Sequence, residues 1–420
     1  MDDIHAFMAK ATAKAEAVSK LAPVFLKRES FAASATSTSS LCIDWIMGGG
    51  IPPSRTIGIS GPERSGKSLL VTEILKNQLD AERYGTFMDA EGSTDPLFLK
   101  NRGIVFENYR GKRTDKGNLR QGERCYINYY QPSTGKELLN YINEVAKGLP
   151  ENRNPPAPPM IFFLDSVVAL IPDDVLDDVN KAPMAHHARM YSNMMPVINT
   201  QLTKTGCSFI YTNQLREKPG VIYGPSTYEP CGGALQYFSS IRLQLSASKP
   251  KISGSSDHPF ASGFIQGGEW KAGGVWQEPH YNKDGEEDGK DKYVYTAVRT
   301  VKNKVYTPYQ VCWMRIQFEE SGSVGTGLDK VFDTFSFLLE NGYIEKAQLS
   351  EEEKAAKVRV IEVKNKFAVT PGTNVDLVKL FELPNRFDYL EFKRWVATTK
   401  DIVPRMRDKM IVSGLVYNKE

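Results

Sequence analysis

Long apolar runs are missing from this 420-residue chain. No stretch approaches the ~20 residues that a membrane-spanning helix needs, which predicts no membrane partner. Cysteine is scarce and unpatterned: Cys42, Cys125, Cys207, Cys231 and Cys312 are five in number and show no CxxC spacing. That excludes a disulfide framework and a cysteine-rich zinc site, and it fits a reducing cytoplasm. The N-terminus carries acids at once, Asp2 and Asp3, and has no signal-peptide core. No sequence unit repeats. A surplus of one charge is also lacking, since 53 Lys and Arg stand against 50 Asp and Glu. Any contact with nucleic acid must therefore come from local patches. What is present is an ordinary globular composition, 41% hydrophobic and 25% charged. The length suits two or three structural units and a large core.

The most informative stretch is Gly61-Pro62-Glu63-Arg64-Ser65-Gly66-Lys67-Ser68. It follows the β-like run Arg55–Ser60 and precedes the helix-like run from Leu69, the setting a phosphate-binding loop requires. Backbone N–H groups of such a loop turn inward around a di- or triphosphate, and the following helix adds the positive end of its dipole. Lys67 is placed to reach the β- and γ-phosphates, and Ser68 to hold Mg²⁺ through its hydroxyl.

Around this stretch the chain alternates between strand-like and helix-like segments. Residues 1–22 have helical apolar spacing, with Ile4, Phe7, Met8, Ala11, Ala15, Val18 and Leu21 on one side. Such a helix packs on its own core or docks on a neighbouring subunit. Ser34–Ser40 reads as a linker or turn. Thr86–Glu91 is a strand ending in acids, and Asp95-Pro96 leads into a helix. The polar, basic stretch 110–124 reads as a solvated insertion, with a landing patch for nucleic-acid phosphates as the sharper alternative. Tyr126–Tyr130 is a strand and Lys136–Ala146 a helix. The apolar run Met160–Leu164 closes on Asp165, as a buried parallel strand does. A polar, mobile segment at 171–184 precedes a helix bearing Met190, Met194, Met195, Ile198 and Leu202. His186 and His187 are adjacent on that helix and face different ways, so they are not a metal pair. Cys207–Gln214 is a further strand, followed by a Gly/Pro-rich loop at 215–233 and a strand near Ile241. Residues 246–292 read as a solvated insertion; Asn282–Asp288 lacks the spacing of a calcium loop. Tyr293–Arg299 and Val311–Gln317 are strands, and a helix begins beyond 327. Val375–Phe381 and Tyr389–Trp395 suggest short helices in a small separate C-terminal unit.

Strand–helix alternation with an early phosphate loop predicts an α/β fold with a mainly parallel, doubly wound sheet. In such sheets ligands lie at the carboxyl ends of the strands. Three strand ends carry polar groups: Glu91, Asp165 and Gln214. Asp165 suits the Mg²⁺ shell, Glu91 suits activation of a water, and Gln214 suits sensing of a γ-phosphate. Together they point to an ATPase.

These stretches resemble the RecA-type recombinases of bacteria and phages, closest to the phage UvsX-like branch. The likeness runs over about 35–345. It rests on Ser37-Thr-Ser-Ser-Leu, Gly48-Gly-Gly-Ile-Pro, the loop 61–68, Phe87–Glu91 with Asp95-Pro, Leu164–Leu170, Thr212–Arg216, Gly232-Gly-Ala-Leu, Arg242 and Val301–Lys304. The resemblance implies a RecA-type P-loop ATPase core at 35–345 with insertions near 108–125 and 246–292. It also implies an N-terminal oligomerisation helix and linker at 1–34 and a small α+β C-terminal domain at 346–420. It implies a DNA-dependent ATPase that forms a filament on single-stranded DNA and pairs it with homologous duplex DNA. ATP, with Mg²⁺ on Ser68 and Asp165, would be bound by residues 61–68, with Phe98 stacking on adenine and Asp95 nearby. Glu91, Lys67 and Gln214 would be catalytic, and Lys302 and Lys304 would act on the ATP of the next subunit. DNA would meet Met184, Arg189 and Ser192 near a first loop, and Arg216, Gly232 and Gly233 near a second. Further implied partners are loader and single-strand-binding proteins, in the cytoplasm or nucleoid of a bacterial host if the source is viral.

Some positions depart from the family pattern. Pro196 stands where a basic residue is usual, Gln236 where Lys is frequent, and Cys231 and Gly233 alter the usual Gly-Gly-Asn. Two other readings keep the same core: a ring-forming helicase or motor, and a regulator that binds nucleotide without hydrolysing it.

Overall fold

The computed structural model describes residues 35–80, 83–95, 99, 104, 127–151, 158–176, 183–218, 227–247, 269–271, 275–281, 287–318, 327–355, 360–363, 367–370, 373–375, 384–398 and 406. The expected helix at 1–22, the basic stretch at 110–124 and Phe98 lie outside them. In chain order the first half holds α1 (Leu41–Met47), β1 (Thr56–Gly61), α2 (Lys67–Asp80), β2 (Tyr84–Asp89), β3 (Ile127–Tyr130), α3 (Gly135–Gly148), β4 (Met160–Asp165), α4 (Asp173–Leu176), α5 (Pro183–Thr205) and β5 (Ser208–Gln214). Then come β6 (Arg216–Glu217), β7 (Thr227–Tyr228), α6 (Gly233–Phe238), β8 (Ile241–Ala247), β9 (Glu269–Trp270), β10 (Val275–Tyr281), β11 (Glu287–Asn303), β12 (Val311–Phe318), β13 (Gly327–Leu328) and α7 (Lys330–Glu340). The C-terminal part holds β14 (Ile344–Lys346), α8 (Glu351–Ala355), β15 (Ile361–Val363), β16 (Phe367–Thr370), β17 (Thr373–Val375), β18 (Arg386–Phe387) and α9 (Tyr389–Thr398).

The main sheet has the order β13-β12-β11-β8-β1-β5-β4-β2-β3, with β10 and β9 added beside β11. The six strands from β8 to β3 run parallel, and an antiparallel wing of β9 to β13 extends the sheet beyond β8. β1, β4 and β5 are buried almost end to end, as strands covered on both faces must be. Alternate residues feed two apolar layers. Ile57, Ile59, Phe87 and Ile161 face the layer built from α1, α2 and α7. Phe162, Phe209 and Tyr211 face the layer built from α3, α5 and α6. Each large apolar side chain so buried contributes about 1.5–3 kcal/mol.

Four expectations change. Ser37–Ser40 is no linker, because all four side chains are buried. Ser37 and Thr38 donate to Asp44, while Ser40 donates to Asp333 and accepts from the Ile43 N–H as the N-cap of α1. Buried hydroxyls with partners incur no penalty for leaving water, and composition alone cannot show those partners. The 246–292 insertion is not wholly solvated, since its described residues form β9, β10 and the first part of β11. Glu278 of β10 is buried against Arg315 of β12 at 2.9 Å. Within the 171–184 segment, Asp173–Leu176 is helical and α5 already begins at Pro183. At the start of the helix expected over 375–381, Val375 instead pairs with Phe367 in a small hairpin; residues 376–383 lie outside the described set.

Arg315 fixes the far end of the sheet. It is 1% exposed, pairs with Glu278 and Asp329, and donates to the Tyr389 hydroxyl at 3.2 Å. Its guanidinium lies over the Tyr293 ring at 3.9 Å. Asp329 in turn caps α7 by accepting from the Phe332 N–H. One cation thereby links the insertion hairpin, the wing and α9. The apolar layer is continuous across this contact, with Phe335 edge-on to Tyr389 at 5.1 Å.

Candidate active site

Parallel register brings the predicted residues to one sheet edge. Gly61 lies opposite Gln214, and Asp89 opposite Asp165. The loop 61–68 joins β1 to α2 at this edge. Its turn needs left-handed backbone at Arg64 (φ 60°) and Gly66 (φ 89°), and a Cβ on Gly66 would stand 2.8 Å from Ile316 Cδ1. At position 66 glycine meets both the positive φ and the close approach. Pro62, Glu63 and Arg64 are exposed, whereas Ser65 is buried. The Lys67 ammonium donates to the carbonyls of Gly61 at 2.9 Å and Pro62 at 2.7 Å, so it folds over its own loop. Burial lowers its pKa, opposed by the charges of Asp165, Glu91 and Glu63.

Asp165, buried like its neighbour Asp89, is the acid beside the phosphate loop. It accepts from Ser68 Oγ at 2.9 Å and from Thr212 Oγ1. Burial raises its pKa; the Thr212 and Ser68 bonds oppose the rise, and the nearby charges of Glu91 and Asp89 add to it. A carboxylate desolvated in this way and in hydrogen-bond contact with a serine hydroxyl suits a hard divalent cation, which prefers oxygen ligands. Ser68 and Asp165 thus fit Mg²⁺. Glu91 is exposed one step further out, where Ser166 Oγ donates to its Oε1 at 2.5 Å and Gln214 Nε2 approaches the same oxygen at 3.5 Å. The Ala90 N–H donates to the Asp165 carbonyl at 2.8 Å, which ties the Glu91 loop to β4. Lys67, Ser68, Glu91, Asp165 and Gln214 therefore form one constellation. Asp95 follows it on the exposed continuation of the loop, its carbonyl accepting from the Leu99 N–H at 3.2 Å.

Lys302 and Lys304 are elsewhere. β11 runs antiparallel to β8, with Lys302 opposite Arg242 and Asn303 opposite Ile241. Ile241 in turn lies opposite Ile57 of β1. At about 3.3 Å per residue, that level is about 13 Å back along the strand from Gly61. The lysines thus stand at the amino edge of β8 and β1, away from the phosphate loop. The Lys302 ammonium donates to the carbonyls of Gln236 at 2.7 Å and Tyr237 at 2.8 Å. Burial lowers its pKa, and the charges of Lys304 and Arg242 lower it further. Lys304 Nζ lies 5.8 Å from the centre of the Tyr237 ring, which is 70% exposed.

The residues expected near DNA gather on a third surface. Met184 is the second residue of α5. Arg189 and Ser192 are exposed on the next turns, with Ser192 donating to the Ala188 carbonyl at 2.7 Å. Gly232 (φ 80°) is the N-cap of α6, and a Cβ there would stand 2.7 Å from the Ala188 Cβ. The exit of the second loop therefore packs directly on α5. Gly233 is exposed, and so is Arg216, which pairs with Tyr228 across the short β6–β7 ladder. Cys231 is buried beside them, and burial pushes its thiol up to about 12. Arg242 pairs with Glu229 at 2.7 Å beneath this surface.

Sequence reasoning missed Ser166, Thr212, Asp89 and Tyr129. A signal existed for the first two: Ser166 follows the strand-end acid, and Thr212 shares a face of β5 with Gln214. For Tyr129, which donates to Asp89 at 2.9 Å, the contact depends on the pairing of β3 with β2, which no local pattern reveals.

A phosphate loop closing the first strand of a parallel sheet, with an acid on each of two neighbouring strands, defines a P-loop nucleotide-binding protein. The family model of the RecA N-terminal domain matches residues 12–122 and 130–258, and the chain belongs to that family. It is 26% identical to the RecA protein of Trichodesmium erythraeum over 71% of this chain and 67% of that protein. It is 29% identical to the RecA protein of Arthrospira platensis over 53% of this chain and 54% of that one. For the RecA protein of Thermosynechococcus vestitus the identity is 31%, over 50% and 52% of the respective chains. The matches thus span about half to two thirds of the length of these relatives.

Proposed function

We propose that this chain is a DNA-dependent ATPase of the recombinase type. It assembles head to tail on single-stranded DNA and promotes homologous pairing and strand exchange with duplex DNA. Membership of the RecA family supports the class. The observation that carries the assembly is the split between the two sheet edges: the hydrolytic groups stand at one edge and the Lys302–Lys304 pair at the other. A head-to-tail contact apposes those edges, and such contacts between copies propagate as filaments or close as rings.

At the nucleotide, residues 61–68 cradle the phosphates and Lys67 leaves its own carbonyls for the β- and γ-phosphates. Glu91 accepts a proton from the attacking water, with Ser166 and Gln214 holding its carboxylate. Mg²⁺ on Ser68 and Asp165 supplies positive charge to the phosphate oxygens when bound. Lys302 and Lys304 of the next protomer add charge at the γ-phosphate, so ATP favours assembly and hydrolysis weakens it. Met184, Arg189, Ser192, Arg216, Gly232 and Gly233 line the DNA path. Backbone contacts suffice there, because base pairing itself reads homology. Asp95 and Phe98 serve the adenine. The division into 1–34, 35–345 and 346–420, a UvsX-like phage origin, loader and single-strand-binding partners and a cytoplasmic setting complete the proposal. Among the described residues no helix is long and apolar enough to cross a membrane.

ATP turnover measured with and without single-stranded DNA, alongside negative-stain imaging with a slowly hydrolysed analogue, tests this. Turnover stimulated by DNA and open helical filaments are expected, with Lys67→Ala inactive. Closed rings would favour the motor reading, and nucleotide binding without turnover would favour the regulator.

A further inference from the structure

Asp89 and Tyr129 form a contact that none of these roles uses. Asp89 closes β2 and is 1% exposed. Its Oδ1 accepts from the Gly92 N–H at 2.9 Å. Its Oδ2 accepts from the Thr94 N–H at 3.0 Å and from the Tyr129 hydroxyl at 2.9 Å. The two amides lie just beyond Glu91. Just before it, the Ala90 N–H is bound to the Asp165 carbonyl, and Glu91's own N–H reaches that carbonyl at 3.4 Å. The backbone carrying Glu91 is therefore held on both sides, by β4 through a carbonyl and by the Asp89 carboxylate.

Tyr129 explains why the carboxylate stays in place. It lies opposite Phe87 in the parallel β2–β3 register. Phe87 and Asp89 share a face of β2, so a residue opposite Phe87 has Asp89 as its diagonal neighbour, within reach of a phenol. A charged acceptor strengthens such a bond, and burial removes the competing water.

We propose that Asp89 and Tyr129 are positioning residues for Glu91: they lock residues 89–94 so that the Glu91 carboxylate stays between Ser166 and Gln214. This rests on the ATPase reading above. A turn cap with a merely structural role would affect folding and nucleotide binding together. A positioning pair affects the chemical step alone.

Tyr129→Phe removes one hydroxyl and keeps the ring against Phe87, so it preserves the apolar packing. In DNA-stimulated turnover, kcat falls about tenfold, since small misplacements of a reacting group are costly. KM for ATP and affinity for a fluorescent ADP analogue stay within about twofold of the parent. Amide exchange at Gly92 and Thr94 accelerates. Asp89→Asn, which keeps the shape and loses the charge, shows the same split with a larger fall in kcat. Unchanged kcat, or kcat and nucleotide affinity falling in parallel, would overturn the proposal. A parent chain that does not turn over ATP would overturn the ATPase reading instead, and amide exchange in Tyr129→Phe would still decide whether the hydroxyl locks the loop.

Discussion

The two edges of one sheet hold their charges in opposite ways. At the carboxyl edge, polar groups from different elements bind each other: Ser68 to Asp165, Thr212 to Asp165, Ser166 and Gln214 to Glu91. At the amino edge, Lys302 is held by the carbonyls of α6, and Lys304 rests over an exposed ring. The first edge is arranged around chemistry within the protomer. The second presents cations outward with no acid of the phosphate site beside them. In the proposed head-to-tail assembly, the second edge would complete the phosphate site of the next protomer.

Glu91→Gln gives the largest effect and tests the carboxyl edge. Loss of a general base lowers kcat about 100-fold or more, while ATP-dependent assembly persists because the lysine edge is intact. Parent-level turnover in this variant would break the comparison by removing the assigned base.

The smallest effect comes from a buried acid at neither edge. Burial raises the Asp333 carboxyl to about 7, opposed by hydrogen bonds from Ser40 and Leu41 and helped by the nearby Asp44. Glu340 is likewise raised to about 7 by burial and by Asp333. Native protons are then held more tightly than unfolded ones, so stability is full below about pH 4 and falls as pH rises through 7. Between pH 5 and 8 Asp333 accounts for a loss on the order of 1–2 kcal/mol, discounted because Glu340 titrates with it. Asp333→Asn reduces that slope in urea unfolding and leaves kcat unchanged. A perturbed acid is then separated from a functional one.

Legibility followed the same division. Asp165 and Gln214 could be read from sequence because each ends a strand-like run, and Glu91 because it stands two residues beyond one; strand ends in parallel sheets share an edge. The position of Lys302 and Lys304 at the opposite edge could not, because it depends on β11 running antiparallel to β8. Ser37–Ser40 looked like a linker because its hydroxyl partners, Asp44 and Asp333, lie 6 to 293 residues away in sequence. Glu278 looked solvated for the same reason, its partner being Arg315 on another strand. Asp89 was visible only as one of two acids at a strand end, whereas its hold on Gly92, Thr94 and Tyr129 is tertiary.

The central claim is that one catalytic unit spans two protomers, and a mixing experiment tests it most directly. Glu91→Gln lacks the base and keeps the lysines; the double variant Lys302→Ala/Lys304→Ala lacks the lysines and keeps the base. Each alone is nearly inactive with single-stranded DNA. In an equimolar mixture, random head-to-tail assortment places an intact base beside intact lysines at about one contact in four. Turnover is then predicted to recover to roughly a quarter of the parent rate. A mixture no more active than its components, or a double variant that hydrolyses ATP like the parent, would contradict the account.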